Sequence, residues 1–409
     1  MKKIKLSRKK IWKILYFCCC IVILNVPGGI FYNDYSEIFA VAIGMISIII
    51  IGTVCLTRNK VNKLLMTGMR EFVFPFLVVT VISCISARVV HHTPNIGDIT
   101  QSFLRAIQIA SIFIIVYLAV EKFGRESLDI LLYAGCISYA TVIYSWITNS
   151  IMNGDWGTSR LESHGFIESI GLLFIYYALS KTYTSKQKSV RCILCAIVLL
   201  LGAKRVAWVG IVWSLIVYFL FHKFKEKRNR IIKIVMIIYF AATFAYLILI
   251  KNDYFSLILS YLGVADNMRL SFWNFFRDSY ELSLTYLGRG IQYTDNRMIL
   301  PSTKYALRVT NNVGIHNDIL RTYIGWGCVP FLYYYYNLFV LNLKKIRMQF
   351  KNANVWLYFA IVSYSFVNYM VDYMITYMPF NMCLFTICLL INIEYEDSKK
   401  MTLRKSKIK

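Results

Sequence analysis

The sequence predicts an all-α, polytopic membrane protein, and three observations lead to that prediction. Hydrophobic residues make up 58% of the chain and charged residues 16%, and the mean hydropathy of +0.54 is too high for an ordinary soluble domain. The apolar residues are gathered into successive runs, most of them near the roughly 17–25 residues that a helix needs to cross a bilayer. One long polar stretch, 251–315, interrupts these runs.

About twelve runs are long enough to be considered as transmembrane helices. In chain order they cover 11–27, 37–56, 71–90, 101–120, 128–148, 164–181, 189–203, 205–222, 232–250, 318–341, 354–374 and 378–394. The seventh and eighth runs predict a helical hairpin that is broken at Lys204-Arg205. Because no soluble domain separates the runs, residues 1–409 are predicted to form a single integral membrane domain.

The 46 Lys and Arg residues are distributed unevenly between alternate loops. Most of them fall in the segments that face the cytosol if the N-terminus is inside, and positively charged loops are retained on that side. Both termini are therefore predicted to be cytoplasmic, with 395–409 as a basic tail and 251–315 as a large extracytoplasmic loop between spans 9 and 10. The formal net charge of +25 does not indicate nucleic-acid binding, because the basic residues lie in short clusters rather than on one folded surface.

The polar stretch ends at His316, where the tenth predicted span begins. A neutral imidazole accepts a proton near pH 7, so a histidine at the mouth of a span is a candidate general base. The structural alternative is that His316 caps the start of the helix. Asn317 and Asp318 are better suited to that role, because their side-chain oxygens accept hydrogen bonds from the first backbone amides of a helix.

Lys204 and Arg205 lie at the tip of the predicted hairpin, on the outer side. Positive charge on that side runs against the usual topological bias. A forked guanidinium beside an ammonium group is a suitable receptor for pyrophosphate at the membrane surface. The alternative is interfacial anchoring by these two residues together with Trp208.

Within the outer stretch, the spacing of Phe272, Phe275, Phe276 and Leu282 predicts a helix that lies on the membrane with its apolar face in lipid. The turn Gly288-Arg289-Gly290 is predicted to hold an anion through its backbone amides and guanidinium. No Asp-x-Asp pair occurs on the outer side. Phosphate chemistry there would therefore depend on arginines rather than on a divalent metal ion.

Several motifs together resemble the O-antigen polymerase and O-antigen ligase superfamily, whose members are bacterial envelope enzymes of the multi-span glycosyltransferase C architecture. The motifs are Lys204-Arg205-Val206-Ala207-Trp208, Arg269-Leu270-x-x-Trp273, Leu287-Gly288-x-Gly290, and His316-Asn317-x-x-Leu320 followed by Gly327. The sequence departs from the family at two positions. Gly325 stands where the family often has an acid, and Pro330 stands where it has a second glycine.

The resemblance implies a metal-independent, cofactor-free polymerase in the bacterial cytoplasmic membrane that joins polyprenyl-pyrophosphate-linked oligosaccharide repeat units into capsular or O-antigen-type polysaccharide. His316 would be the general base, and Arg205 and Arg269 would bind the pyrophosphate. Further candidates for substrate binding are Lys204, Arg289, Arg321 and Asn317. The implied partners are membrane lipid and, from the same pathway, a chain-length regulator and a flippase.

Two other functions stay open from the sequence. A ligase that moves lipid-linked glycan to another acceptor would use the same residues as a polymerase. A transporter or flippase of lipid-linked sugars belongs to a different class, and it would ordinarily place polar groups near the middle of the bilayer and show paired halves. The polar groups of this chain collect at the outer ends of the predicted spans instead.

Overall fold

The computed structural model describes residues 7–24, 26, 42, 46, 63–91, 96–154, 156–157, 161, 166–224, 226–261, 269–307, 314–345 and 355–408. These residues form helices and connecting turns and contain no β-strand. The prediction of an all-α fold is therefore confirmed. The second predicted span, 37–56, lies almost entirely outside the described residues.

The helices of the first half of the chain are α1 (Arg8–Ile23), α2 (Lys63–Gly68), α3 (Phe74–His91), α4 (Ile96–Phe123), α5 (Glu126–Asn153), α6 (Phe166–Leu179), α7 (Ser185–Gly202), α8 (Arg205–Lys223) and α9 (Arg228–Lys251). Those of the second half are α10 (Tyr254–Tyr261), α11 (Arg269–Phe276), α12 (Tyr293–Ile299), α13 (Pro301–Leu307), α14 (Asp318–Trp326), α15 (Cys328–Tyr336), α16 (Val355–Val371) and α17 (Met378–Ile408). Two π-helical turns, Met69–Val73 and Asn337–Leu341, continue α2 into α3 and extend α15.

Among the described residues, five helical segments are long and apolar enough to cross a membrane. They are Leu64–Val89, Ile99–Phe123, Glu126–Asn153, Arg205–Lys223 and Asn229–Lys251. Shorter apolar helices lie at Phe166–Leu179, Val355–Val371 and Met378–Ile393. The chain is thus an all-helical membrane protein, while the number of twelve spans stays a prediction.

The centre of the bundle is α6. All of its residues from Phe166 to Leu173 are buried, including Glu168. It packs against α5, α7, α8, α16 and α17. A helix that is apolar on all sides is buried on all sides, so a charge on α6 must be neutralised within the bundle.

The tenth predicted span, 318–341, is interrupted near its start and is not one continuous helix. Helix α14 ends at Trp326, and α15 begins at Cys328. Gly327 between them has φ +81 and ψ 171, which no helix contains. The polar segment between α11 and α12 fills the break, because the amide of Cys328 donates to the carbonyl of Tyr286 at 2.9 Å.

Backbone approaches backbone closely at this break, and glycines make the approach possible. A Cβ on Gly288 would lie 2.3 Å from the amide nitrogen of Gly327, and a Cβ on Gly325 would lie 2.9 Å from the carbonyl oxygen of Gly290. An acidic side chain at position 325 would therefore push the segment around Gly290 away. Gly288 and Gly290 in the polar segment, and Gly325 and Gly327 at the helix break, therefore form one backbone packing contact.

Replacing Gly288 with alanine is expected to destabilise the protein by at least about 2 kcal/mol, because φ is +81 and the new Cβ would meet backbone atoms that cannot swing aside. The control is Gly154→Ala at the end of α5, where φ is +69 but no atom lies within 4 Å of the added Cβ. Thermal unfolding of the purified protein measures both losses. Equal losses in the two variants would show that the close packing at the break contributes nothing.

The prediction of a helix that lies on the membrane around Phe272 also differs from the structure. The segment forms α11, but Phe272, Trp273 and Phe276 are buried in the protein rather than exposed to lipid. The indole of Trp273 donates to the carbonyl of Ile315 at 3.0 Å. Aromatic spacing alone does not distinguish a face that meets lipid from one that meets another helix.

Candidate functional site

His316 occupies a constrained position directly before α14. Its φ of +45 lies in the left-handed region that few side chains adopt. Asn317 then caps the helix, since its Oδ1 accepts from the amide of Leu320 at 2.9 Å. The backbone thus turns sharply at His316, and its side chain stays 41% exposed while Asn317 is buried.

The imidazole of His316 is paired with a buried carboxylate. Nδ1 lies 3.0 Å from Oδ1 of Asp372, whose side chain is only 6% exposed, in the connection between α16 and α17. The same carboxylate also lies 2.9 Å from the ammonium of Lys204, so two charge-assisted contacts favour its ionised form. An ionised carboxylate only accepts hydrogen bonds, so Nδ1 of His316 is the donor in this contact. In a neutral imidazole with that tautomer, the lone pair of Nε2 is free to accept a proton.

Lys204 links this pair to the centre of the bundle. Its Nζ lies 2.9 Å from Oδ2 of Asp372 and also forms an ion pair with the fully buried carboxylate of Glu168. Lys204 precedes the first residue of α8, and Glu168 lies in the first turn of α6. One ammonium group is therefore shared by two carboxylates from separate elements, and it is not free to bind pyrophosphate alone.

Arg269 approaches the same place from the polar segment that begins with α11. As the first residue of α11, it donates from Nη1 to the carbonyl of Val371 at 3.2 Å, next to Asp372. Three of the predicted site residues therefore meet at the end of α16: His316, Lys204 and Arg269. They are far apart in sequence, and Val371-Asp372 is where their contacts converge.

Arg321 is buried and paired with acids of the protein. Its guanidinium donates to Asp318 at 3.1 Å and to Asp295 at 3.0 Å, and it lies 3.7 Å from the centre of the Tyr373 ring. The other oxygen of Asp318 accepts from the amides of Met374 and Ile375. This cluster joins α12, α14 and the connection after Asp372. Arg321 therefore stabilises the site, and its guanidinium is not available to a ligand.

Asn317 is likewise committed to the protein. Its Oδ1 caps α14, and its Nδ2 donates to the hydroxyl of Tyr246 at 3.2 Å. Both ends of the amide are used, which leaves no group for a substrate.

Among the described contacts, the side chains of the two remaining predicted arginines touch neither His316 nor Asp372. Arg205 is exposed at the first position of α8, and its guanidinium makes no hydrogen bond or ion pair with another described residue. Arg289 donates to the carbonyl of Ser279 and lies over the ring of Tyr293.

The turn around Arg289 does not offer its amides to an anion, contrary to the prediction. The amide of Arg289 donates to the carbonyl of Ile324 at 2.9 Å, and that of Gly290 donates to the carbonyl of Gly325 at 2.8 Å. Arg289 can bind a ligand only through its side chain.

Sequence reasoning missed the two acids of the site, Asp372 and Glu168. Both lie inside predicted apolar runs, 354–374 and 164–181, and were read there as parts of spans. A signal was present, because an ionisable residue within a span is costly unless it is paired or functional. Applied to these two residues, that rule would have marked them as partners for the unexplained positive charge at Lys204.

The described part of the chain contains no cluster of three or more His, Cys, Asp or Glu side chains that could hold a metal ion. At the site itself, the groups around Asp372 are an imidazole, an ammonium and a guanidinium. The ammonium is already paired with two acids, so the guanidinium of Arg269 is the group that retains donors for an anionic ligand.

Comparison of the chain with protein-family models and with curated proteins finds no match. The resemblance to the O-antigen polymerases and ligases therefore stays a prediction from the motifs.

Proposed function

We propose that the protein is a polysaccharide polymerase that joins polyprenyl-pyrophosphate-linked oligosaccharide repeat units at the outer face of the bacterial cytoplasmic membrane. The proposal includes twelve spans, both termini in the cytosol and residues 251–315 outside. The observation that carries it is the part-exposed imidazole of His316, whose Nδ1 is held 3.0 Å from the buried carboxylate of Asp372. A histidine in this arrangement is a positioned base.

In the proposed reaction, a hydroxyl of the acceptor sugar attacks the anomeric carbon of the donor. The new glycosidic bond forms as the bond between that carbon and the pyrophosphate oxygen breaks, and the electron pair leaves with polyprenyl pyrophosphate. Nε2 of His316 takes the hydroxyl proton, and Asp372 stabilises the resulting imidazolium. A single displacement of this kind inverts the anomeric centre.

The departing pyrophosphate needs positive charge that the protein has not already neutralised. Lys204 and Arg321 are paired with buried acids, so they support the site. Arg269 uses one donor on Val371 and keeps others, while Arg205 is exposed beside Lys204. We assign pyrophosphate binding to Arg205 and Arg269, with Arg289 as a further contact.

Replacing Asp372 with asparagine is expected to lower the polymerisation rate at least about tenfold, because the imidazole loses the carboxylate that sets its orientation and proton position. The fold should survive, since Lys204 keeps its pair with Glu168. Rates are measured on the purified variant with lipid-linked repeat units. Asp278→Asn, at an acid whose side chain is 86% exposed, is the control and should leave the rate unchanged. An unchanged rate for Asp372→Asn would remove the carboxylate from the mechanism.

Arg205→Lys is expected to fail although the charge is kept, because a guanidinium binds phosphate oxygens with two parallel hydrogen bonds and an ammonium does not. We expect at least a tenfold loss of polymer, or about 1.4 kcal/mol. Polymer length in a complementation assay measures it, and Arg297→Lys in the exposed part of α12 is the control. Full activity of the Arg205 variant would favour interfacial anchoring instead.

The function itself is tested by incubating the purified protein with lipid-linked repeat units and separating the products by size. A ladder of increasing length supports a polymerase. Transfer only to an acceptor that is not a repeat unit indicates a ligase. Movement of labelled lipid-linked sugar across liposomes without elongation indicates a transporter and would overturn the proposal.

A further inference from the structure

A short helix follows the span α9 almost without interruption. Only Asn252 and Asp253 separate α10 from the end of α9. The turn is held in place, because Ser256 donates to the carbonyl of Asp253 at 2.7 Å and Asn274 donates to the carboxylate of Asp253 at 3.0 Å. Two residues span less than about 7 Å, so α10 starts at the level where α9 leaves the membrane.

One face of α10 packs on the protein. Phe255 makes ring contacts with Tyr246 of α9 at 5.1 Å and with Trp273 of α11 at 5.5 Å, and Leu259, one turn further on, is half-buried. These contacts fix the orientation of the helix about its axis.

The opposite face is apolar and open. It consists of Tyr254, Leu257, Ile258 and Tyr261, at the spacing that places side chains on one side of a helix. Leu257 is 63% exposed and Tyr261 is 92% exposed. No residue of α10 carries a charge.

The surface of α9 leads directly to this face. Most of the apolar window of α9 is not covered by protein, and Ile234, Ile237, Ile238 and Ile248 are exposed on it. In a membrane-embedded helix such residues meet lipid. An uncharged helix with tyrosines at both ends, beginning at the end of that span, has the composition of a segment at the lipid–water interface.

We propose that α10 lies in the outer lipid–water interface, with Tyr254, Leu257, Ile258 and Tyr261 inserted among the lipid headgroups and upper acyl chains. The partner of this face is the bilayer itself. The proposal requires the membrane location of the chain and, for the outer side, the orientation given under the proposed function, but not its activity as a polymerase.

The packed face of α10 connects the bilayer surface to His316. Phe255 contacts Trp273, and the indole of Trp273 holds the carbonyl of Ile315, the residue before His316. The interfacial helix would thus set the height of the imidazole above the lipid. A substrate whose reactive bond lies next to a lipid-borne pyrophosphate requires such a fixed height.

The test uses the photoreactive residue benzoylphenylalanine in the full chain, reconstituted in nanodiscs of phosphatidylethanolamine and phosphatidylglycerol. It is placed at Tyr261, at Leu257, and at the control position Ser260. Ser260 is exposed but lies about 110° around the helix axis from the centre of the apolar face. After illumination, mass spectrometry identifies the adducts.

We expect phospholipid adducts at positions 257 and 261 to be at least fivefold more abundant than at 260. Adducts to a second copy of the chain, or equal labelling at the three positions, would overturn the proposal. Because Tyr261 is almost wholly exposed, its replacement disturbs no packing, and the readout does not depend on enzymatic activity. A failure here and a failure of the polymerase assay are therefore separate results.

Discussion

His316→Ala is expected to abolish detectable polymer formation, with a loss of about 10²-fold to 10⁴-fold in rate. A sugar hydroxyl is a poor nucleophile until its proton departs, and no other described histidine is placed to accept that proton at the end of α16. The ladder assay with purified protein measures the loss, and a complementation assay reports the length of the polymer in cells.

The backbone at residue 316 calls for a second variant. Alanine at φ +45 is strained, whereas asparagine adopts the left-handed region more readily. His316→Asn therefore removes the base with less strain, and it should be as inactive as His316→Ala. The matched control is His222→Ala, at an exposed histidine stacked on Tyr218, about 27 Å along α8 from Lys204. Polymer of normal length from the His316→Asn variant would exclude the imidazole from the mechanism.

Lys204→Met is expected to destabilise the protein by about 3–5 kcal/mol, because it leaves the carboxylates of Glu168 and Asp372 buried without their shared cation. Glu168 is affected most, since it is fully buried on the central helix α6. Asp372 keeps the hydrogen bond from His316. Thermal unfolding of the detergent-purified protein, followed by circular dichroism, measures the change.

A second substitution separates charge from packing. Glu168→Gln removes one of the two carboxylates, so the double variant Lys204→Met/Glu168→Gln should be more stable than Lys204→Met alone. Lys223→Met, at an exposed lysine at the far end of α8, should change stability by less than about 0.5 kcal/mol. A Lys204→Met protein as stable as the parent would mean that the two acids bind protons instead of sharing an ion pair.

The sequence by itself determined the class of this protein and the positions of most helices. Runs of apolar residues near the length of a bilayer crossing are a local property, and they coincide with helices from α3 to α9 and again at α16 and α17. Capping is local as well, and Asn317, one of the two residues suited to that role, caps α14. His316, Lys204 and Arg269 could be selected because their residue types and neighbours are unusual for a membrane chain.

Only the tertiary structure decided what these residues contact. Lys204 could be read from sequence as a ligand for pyrophosphate or as an anchor, and its pairing with Glu168 and Asp372 depends on residues 36 and 168 positions away. Likewise, Phe272 and Phe276 were predicted to face lipid, and both are buried in the protein. Periodicity and composition act over one or two helical turns, whereas the partner of a buried charge or an aromatic face is fixed by how distant helices pack together.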